Sequence, residues 1–269
     1  MSKINVNGWD FDYTLTGDGP DIVFIHGEIH GSAYFERQVA EFSKNYRCLT
    51  YNRRGHKGTG APEYGYSLEN QRRDLEGLID ELGIKNPILV AVAFGATIAA
   101  DYAINHPDKV RGIVLVAWSE LHDARKYFDR WAYASEQVVA AYEEGGRDGM
   151  LNYLRREAGH SIYFVINPDS PIREECIQWF GSHPIEEYRR GMLEFALSVP
   201  DLIPPFSKLE TPVLGICGSE DPFQDEPERL SAMKNFHEDP PIDGAGRFVQ
   251  WERAEEFNAK LSVFFESLP

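Results

Sequence analysis

The side chains able to do chemistry are few, and most sit where a short apolar run gives way to a loop. Glu28 and His30 follow the run Asp21–His26 directly. A partly desolvated carboxylate gains proton affinity and can serve as a general base, and an imidazole titrates near neutral pH. Most glutamates are solvated, so a plain loop carboxylate and a loop histidine remain the competing readings. Asp221 stands in Gly218-Ser219-Glu220-Asp221-Pro222, just after the run Thr211–Cys217, and Arg247 follows Gly244-Ala245-Gly246. Arginine keeps its proton at physiological pH, so Arg247 cannot act as a base. Its planar fork suits a carboxylate, phenolate or enolate oxygen instead. Glu120 ends the run Val110–Ala117 and is a second acid–base candidate. No His, Asp or Glu cluster has metal-ligand spacing, and no glycine-rich loop carries a nucleotide fingerprint. Neither a metal nor a cofactor is expected.

Composition narrows the partners. The 269 residues suffice for one sizeable core, and an apolar share of 42% with 26% charged residues is ordinary for a globular chain. A net charge of −16 argues against nucleic acid or an anionic membrane and leaves a small molecule as the expected partner. Oligomeric state is not readable. Cys48, Cys176 and Cys217 are too few and too scattered for a disulfide framework or a zinc site. Met1-Ser2-Lys3-Ile4 opens without an apolar signal and no apolar run approaches a membrane span, so the cytoplasm is the expected location.

The elements that would position these residues alternate. Ile4–Val6 and Trp9–Leu15 flank Asn7-Gly8 as a hairpin would. Asp21–His26, Arg47–Tyr51, Pro87–Val92, Val110–Ala117 and Thr211–Cys217 are apolar strands, and the middle ones read as buried on both faces. Helical spacing falls at Tyr34–Tyr46, Gln71–Leu82, Thr97–Asn105, Glu226–Asn235 and Ala254–Phe265. Such alternation with short connections predicts an α/β fold with a mostly parallel central sheet flanked by helices. Residues 121–205 break the pattern with roughly 80 helical, aromatic and acidic residues, long enough for a lid inserted after strand 6. The core would then be 1–120 and 206–269.

With those elements in place the chain resembles the α/β-hydrolase superfamily, in its lid-containing, esterase- and epoxide-hydrolase-like branch. Four signatures carry the likeness in order. His26-Gly27 matches the oxyanion loop, and Tyr51-Asn52-Arg53-Arg54-Gly55-His56 the turn after the fourth strand. Leu89–Gly95 with His106-Pro107-Asp108-Lys109-Val110 matches the nucleophile elbow, and Gly218–Pro222 with Gly244–Gly246 the acid and base loops. The resemblance implies the nucleophile at Ala93, the acid at Asp221 and the base at Arg247. The elbow Ala91-Val92-Ala93-Phe94-Gly95 keeps the small residues that a tight strand-to-helix turn needs, yet its centre has nothing to attack with. No histidine lies beyond His237, which falls too early to supply the base. The triad is therefore read as degenerate, and Ser–His chemistry as lost.

The same resemblance places Asp221 and Arg247 together, as a structural bridge or with Arg247 reaching a ligand. Phe94, Trp118 and Trp131 would line an apolar, aromatic-walled pocket between lid and core, with His30, Ala93 and Glu120 facing the ligand. Most lid aromatics, from Tyr127 to Phe180, are packing. His56 and His106 are read as structural, and His122, His160 and His183 as incidental. The expected function is a cofactor-independent, non-hydrolytic enzyme for an apolar or aromatic, acidic or enolisable molecule. Cyclisation, C–C bond formation, elimination and rearrangement all fit, as in tailoring of natural products. A ligand-binding pseudoenzyme and a Ser-to-Ala inactivated ester or C–C-bond hydrolase are the alternatives.

Overall fold

A computed structural model describes residues 1–27, 31–118, 121, 128–157, 170–221, 230 and 233–269, except for the side chains of Arg130, Trp131 and Glu157. One eight-stranded sheet organises them. Its strands are β1 (Ser2–Val6), β2 (Trp9–Thr16), β3 (Asp21–Ile25), β4 (Arg47–Tyr51), β5 (Ile88–Val92), β6 (Gly112–Val116), β7 (Val213–Ile216) and β8 (Phe236–Glu238). They lie in the order β1-β2-β4-β3-β5-β6-β7-β8. β1 and β2 are antiparallel, and β2 meets β4 antiparallel; every later pairing is parallel.

Local chemistry explains the elements. Asn7 and Gly8 both have positive φ (53° and 83°), the two-residue turn that matches strand twist, and they set Val6 opposite Trp9. β3, β5, β6 and β7 are buried throughout, because helices cover both faces of a parallel sheet. Helix α1 spans Glu36–Phe42, after a 3₁₀ turn at Ser32–Phe35. Helix α2 (Leu68–Glu81) starts three residues ahead of its apolar periodicity, because the Ser67 hydroxyl caps it by accepting from the Asn70 N–H. Helix α3 (Phe94–Asn105) likewise begins ahead of Thr97, immediately after β5. The short, half-exposed β8 has no sequence signature; it is an edge strand held by Leu214 and its neighbours on β7.

Between β6 and β7 the described residues form helices and turns only. Helix α4 (Phe128–Glu157) is broken at Gly145-Gly146, where φ is −132° and 60°. Helix α5 (Arg173–Phe180) follows, and a π-helical turn at Glu187–Gly191 runs into α6 (Met192–Ser198). The chain re-enters the sheet through the one-turn helix α7 (Ile203–Phe206) and closes with α8 (Val249–Glu252) and α9 (Ala254–Ser267). The inserted helices dock on the loops at the carboxyl ends of the strands. The Trp179 ring lies where a Cβ on Gly31 would stand (2.3 Å), and the Leu68 N–H donates to Ser198 Oγ at 2.8 Å. Among the described residues no helix is long and apolar enough to cross a membrane.

Candidate active site

The turn from β5 into α3 fixes the centre of the site. Ala93 has φ 51° and ψ −120°, a conformation that costs a non-glycine residue on the order of 1–3 kcal/mol. Its neighbours hold it there. The Ala93 N–H donates to Val116 O at 2.9 Å, and Ala93 O accepts from the Ala96 N–H at 2.8 Å. Gly95 lets α3 press against β3, since a Cβ at that position would lie 2.3 Å from Ile25 O. The Ala93 methyl thus stands, wholly buried, at the positive end of α3.

On one side lies the segment that leads into 28–30. His26 is buried, with Nδ1 donating to Gly27 O at 2.7 Å and Nε2 accepting from the Arg53 N–H at 3.0 Å. Arg53 Nη2 also donates to Gly27 O, at 2.8 Å, and its other terminal nitrogen donates to Gln71. The Gly27 carbonyl therefore takes two donors and anchors the loop. Glu28, His30 and Glu120 lie outside the described residues. Trp131 belongs to α4, but its side chain is likewise outside them.

On the other side two loops are laced together. The Ser219 N–H donates to Ile242 O (3.0 Å) and the Glu220 N–H to Ala245 O (2.9 Å). Gly218 permits this, for a Cβ there would meet Ala245 O at 2.1 Å. The lacing brings Asp221 and Arg247 together with Oδ2 and Nη1 3.6 Å apart, both side chains at most 5% exposed. Glu252 caps the second loop by accepting from the Gly246 N–H at 2.6 Å, and burial raises its carboxyl above the usual range. Behind Arg247 stands Tyr34, its ring edge-on to Phe248 (5.5 Å) and Trp251 (5.3 Å). Burial pushes the Tyr34 phenol well above its ordinary value, so it is a neutral hydroxyl.

Aromatic contacts surround the elbow. The Phe94 ring stacks on Phe195 of α6 at 4.5 Å, and the Arg53 guanidinium lies 5.9 Å from the Phe195 ring. Trp118 lies over the neighbouring strands β7 and β8. Its ring packs against Gly215 on β7, where a Cβ would clash at 2.7 Å, and against Phe236 on β8 (5.9 Å). His237, on β8, is an exposed histidine paired with Asp239 at 2.9 Å. His183, read from sequence as incidental, is buried and accepts from the Lys57 N–H at 3.2 Å. A lone histidine in a helical insertion carries no sequence signal for such a contact.

The chain belongs to the alpha/beta hydrolase fold family, whose profile matches residues 20–254. A 2-(acetamidomethylene)succinate hydrolase of Mesorhizobium japonicum is 34% identical over 210 residues, covering 75% of this chain and 71% of the relative. Epoxide hydrolase 1 of Caenorhabditis elegans is 25% identical over 304 residues, covering 97% of this chain and 72% of its own. An esterase from Thermogutta terrifontis superposes with a TM-score of 0.81 at 18% identity, over 99% of this chain and 98% of the other, which is a likeness of fold. The relatives are enzymes.

Proposed function

We propose that this chain is an α/β-hydrolase-fold enzyme with a degenerate triad, which works on a small apolar or aromatic, acidic or enolisable molecule without forming an acyl-enzyme. The supporting observation is one arrangement: an elbow held in its strained conformation around the methyl of Ala93, with Arg247 paired to buried Asp221 at the base position. A methyl cannot attack a carbonyl and a guanidinium cannot take a proton. What the site offers is a guanidinium, oriented by Asp221, whose N–H groups can donate to an anion, together with the positive amino end of α3. Both favour an anion, whether a substrate carboxylate or an enolate that forms during reaction. A relative at 34% identity is named for a succinate derivative, an acidic substrate. In this account Glu28 moves the proton and the helices of 121–205 exclude water as a lid, so that cyclisation, elimination or rearrangement proceeds by positioning.

A turnover screen tests this. The purified protein would be incubated with aromatic and aliphatic carboxylic acids and phenols, products read by mass spectrometry and binding by thermal shift. A product is expected that falls about 100-fold or more in Arg247→Ala, with partial recovery in Arg247→Lys. Ligands that stabilise the protein and are never converted would make it a binding protein instead.

A further inference from the structure

Three histidines form one buried column that runs from the sheet into the inserted helices. His26, at the end of β3, and His56, in the turn after β4, have ring centroids 4.5 Å apart, and His56 and His183 are 4.9 Å apart. All three are buried. Hydrogen bonds fix where their protons sit. Main-chain N–H groups donate to His26 Nε2 (from Arg53, 3.0 Å) and to His183 Nδ1 (from Lys57, 3.2 Å). A ring nitrogen that accepts a hydrogen bond carries no proton, so both imidazoles are neutral in this arrangement. His56 Nδ1 faces Arg54 O at 3.2 Å and donates, which leaves its Nε2 toward Glu187 Oε1 at 3.7 Å.

The core half of this contact is rigid. Asn52 Oδ1 accepts from the Ser32 N–H at 2.7 Å, Asn52 Nδ2 donates to Lys57 O at 2.8 Å, and Thr59 Oγ1 donates to Asn52 O at 2.9 Å. The inserted half supplies His183 and Glu187. Glu187 is fitted between Gly55 and Gly191, where a Cβ would stand 2.7 Å and 2.3 Å from its carboxylate. Among the described residues, the charged and titratable groups around the column include Tyr51, Arg53, Arg54, Lys57 and Tyr66 from the core and Glu187 from the insertion. Trp179 of α5 packs on His183 at 5.7 Å. Burial, followed by the charges of His26, Arg53 and His183, holds the His56 imidazole well below its ordinary value.

We propose that this column is an acid-sensitive latch, in which a proton taken up by His183 breaks its bond to the Lys57 N–H and releases the helices of 173–198 from the turn at 52–57. Protonated Nδ1 and the Lys57 N–H are both donors, so the contact cannot survive the proton. The latch does not depend on the reaction that the site performs.

Hydrogen–deuterium exchange of the full chain at pH 7.5 and 5.5 tests the latch, after correction for the intrinsic pH dependence of amide exchange. An imidazole that titrates near 6.5 only when released makes release about tenfold more frequent at the lower pH. Peptides from 173–198 should quicken by about that factor, at rates well above those of β5 and α3, which exchange only when the whole chain opens. His183→Asn keeps an acceptor for the Lys57 N–H and cannot be protonated, so its insertion should exchange alike at both pH values. His183→Phe has no acceptor and should exchange fast at both. A wild type without the pH response in 173–198, or a His183→Asn variant that keeps it, would overturn the latch.

Discussion

Replacing Arg247 by alanine removes the guanidinium 3.6 Å from Asp221, in a place where neither side chain reaches water. Removing one partner of a buried pair costs on the order of 3 kcal/mol, largely because the other charge stays behind. Arg247→Ala should therefore lower unfolding stability by about that much in urea titration, and adding Asp221→Asn should recover part of the loss. Two separate single losses would contradict the pairing. At the elbow, Gly95→Ala would set a Cβ 2.3 Å from Ile25 O, a main-chain atom that cannot move aside. A destabilisation of about 3 kcal/mol is expected there, whereas an alanine at Gly8, which has open space around it, meets only the penalty of its positive φ.

At the scale of elements, Phe195 ties the insertion to the elbow through its stack on Phe94, and it is wholly buried. Phe195→Ala should cost about 3–5 kcal/mol if α6 and the sheet unfold together. A much smaller cost, with faster exchange confined to 173–198, would mean that the insertion unfolds on its own. The central sheet was legible because β3, β5, β6 and β7 are uninterrupted apolar runs, and a strand buried on both faces can hardly be written otherwise. The first hairpin announced itself through Asn7-Gly8. β8 was not legible, since three residues at an edge, Phe236-His237-Glu238, have no period to read. In the site, Asp221 and Arg247 could be placed through the resemblance that Gly218–Pro222 and Gly244–Gly246 carry, whereas the direction of the Trp118 ring is set by the space over Gly215 on another strand. The His183 contact depends equally on tertiary docking, which no local pattern encodes.

For the molecule as a whole, acidity acts through groups of opposite sign. The His56 value is depressed in the folded protein, so the unfolded chain binds the extra proton. Its contribution is present above the unfolded value near pH 6.5 and is lost as the pH falls below it. Glu238 and Glu252 are raised by burial, so they bind a proton more readily when folded and favour the folded state on the acid side. Their window lies at carboxylate values, beneath that of the histidine. The melting temperature should therefore drop between pH 7.5 and 5.5, and His56→Asn should flatten the drop in a differential scanning calorimeter. A net charge of −16 adds self-repulsion, so moderate salt should raise the melting temperature at neutral pH.

An elbow that has kept its backbone and lost acyl-transfer chemistry should leave an aryl acetate untouched. Intact-protein mass spectra and product release would be followed for the wild type, Ala93→Ser, Arg247→His and the double variant. No acyl adduct and no catalysed release are expected from the wild type or from either single variant, with an acyl burst in the double variant alone. An adduct on the wild type, or efficient hydrolysis by Ala93→Ser with Arg247 still in place, would contradict that loss.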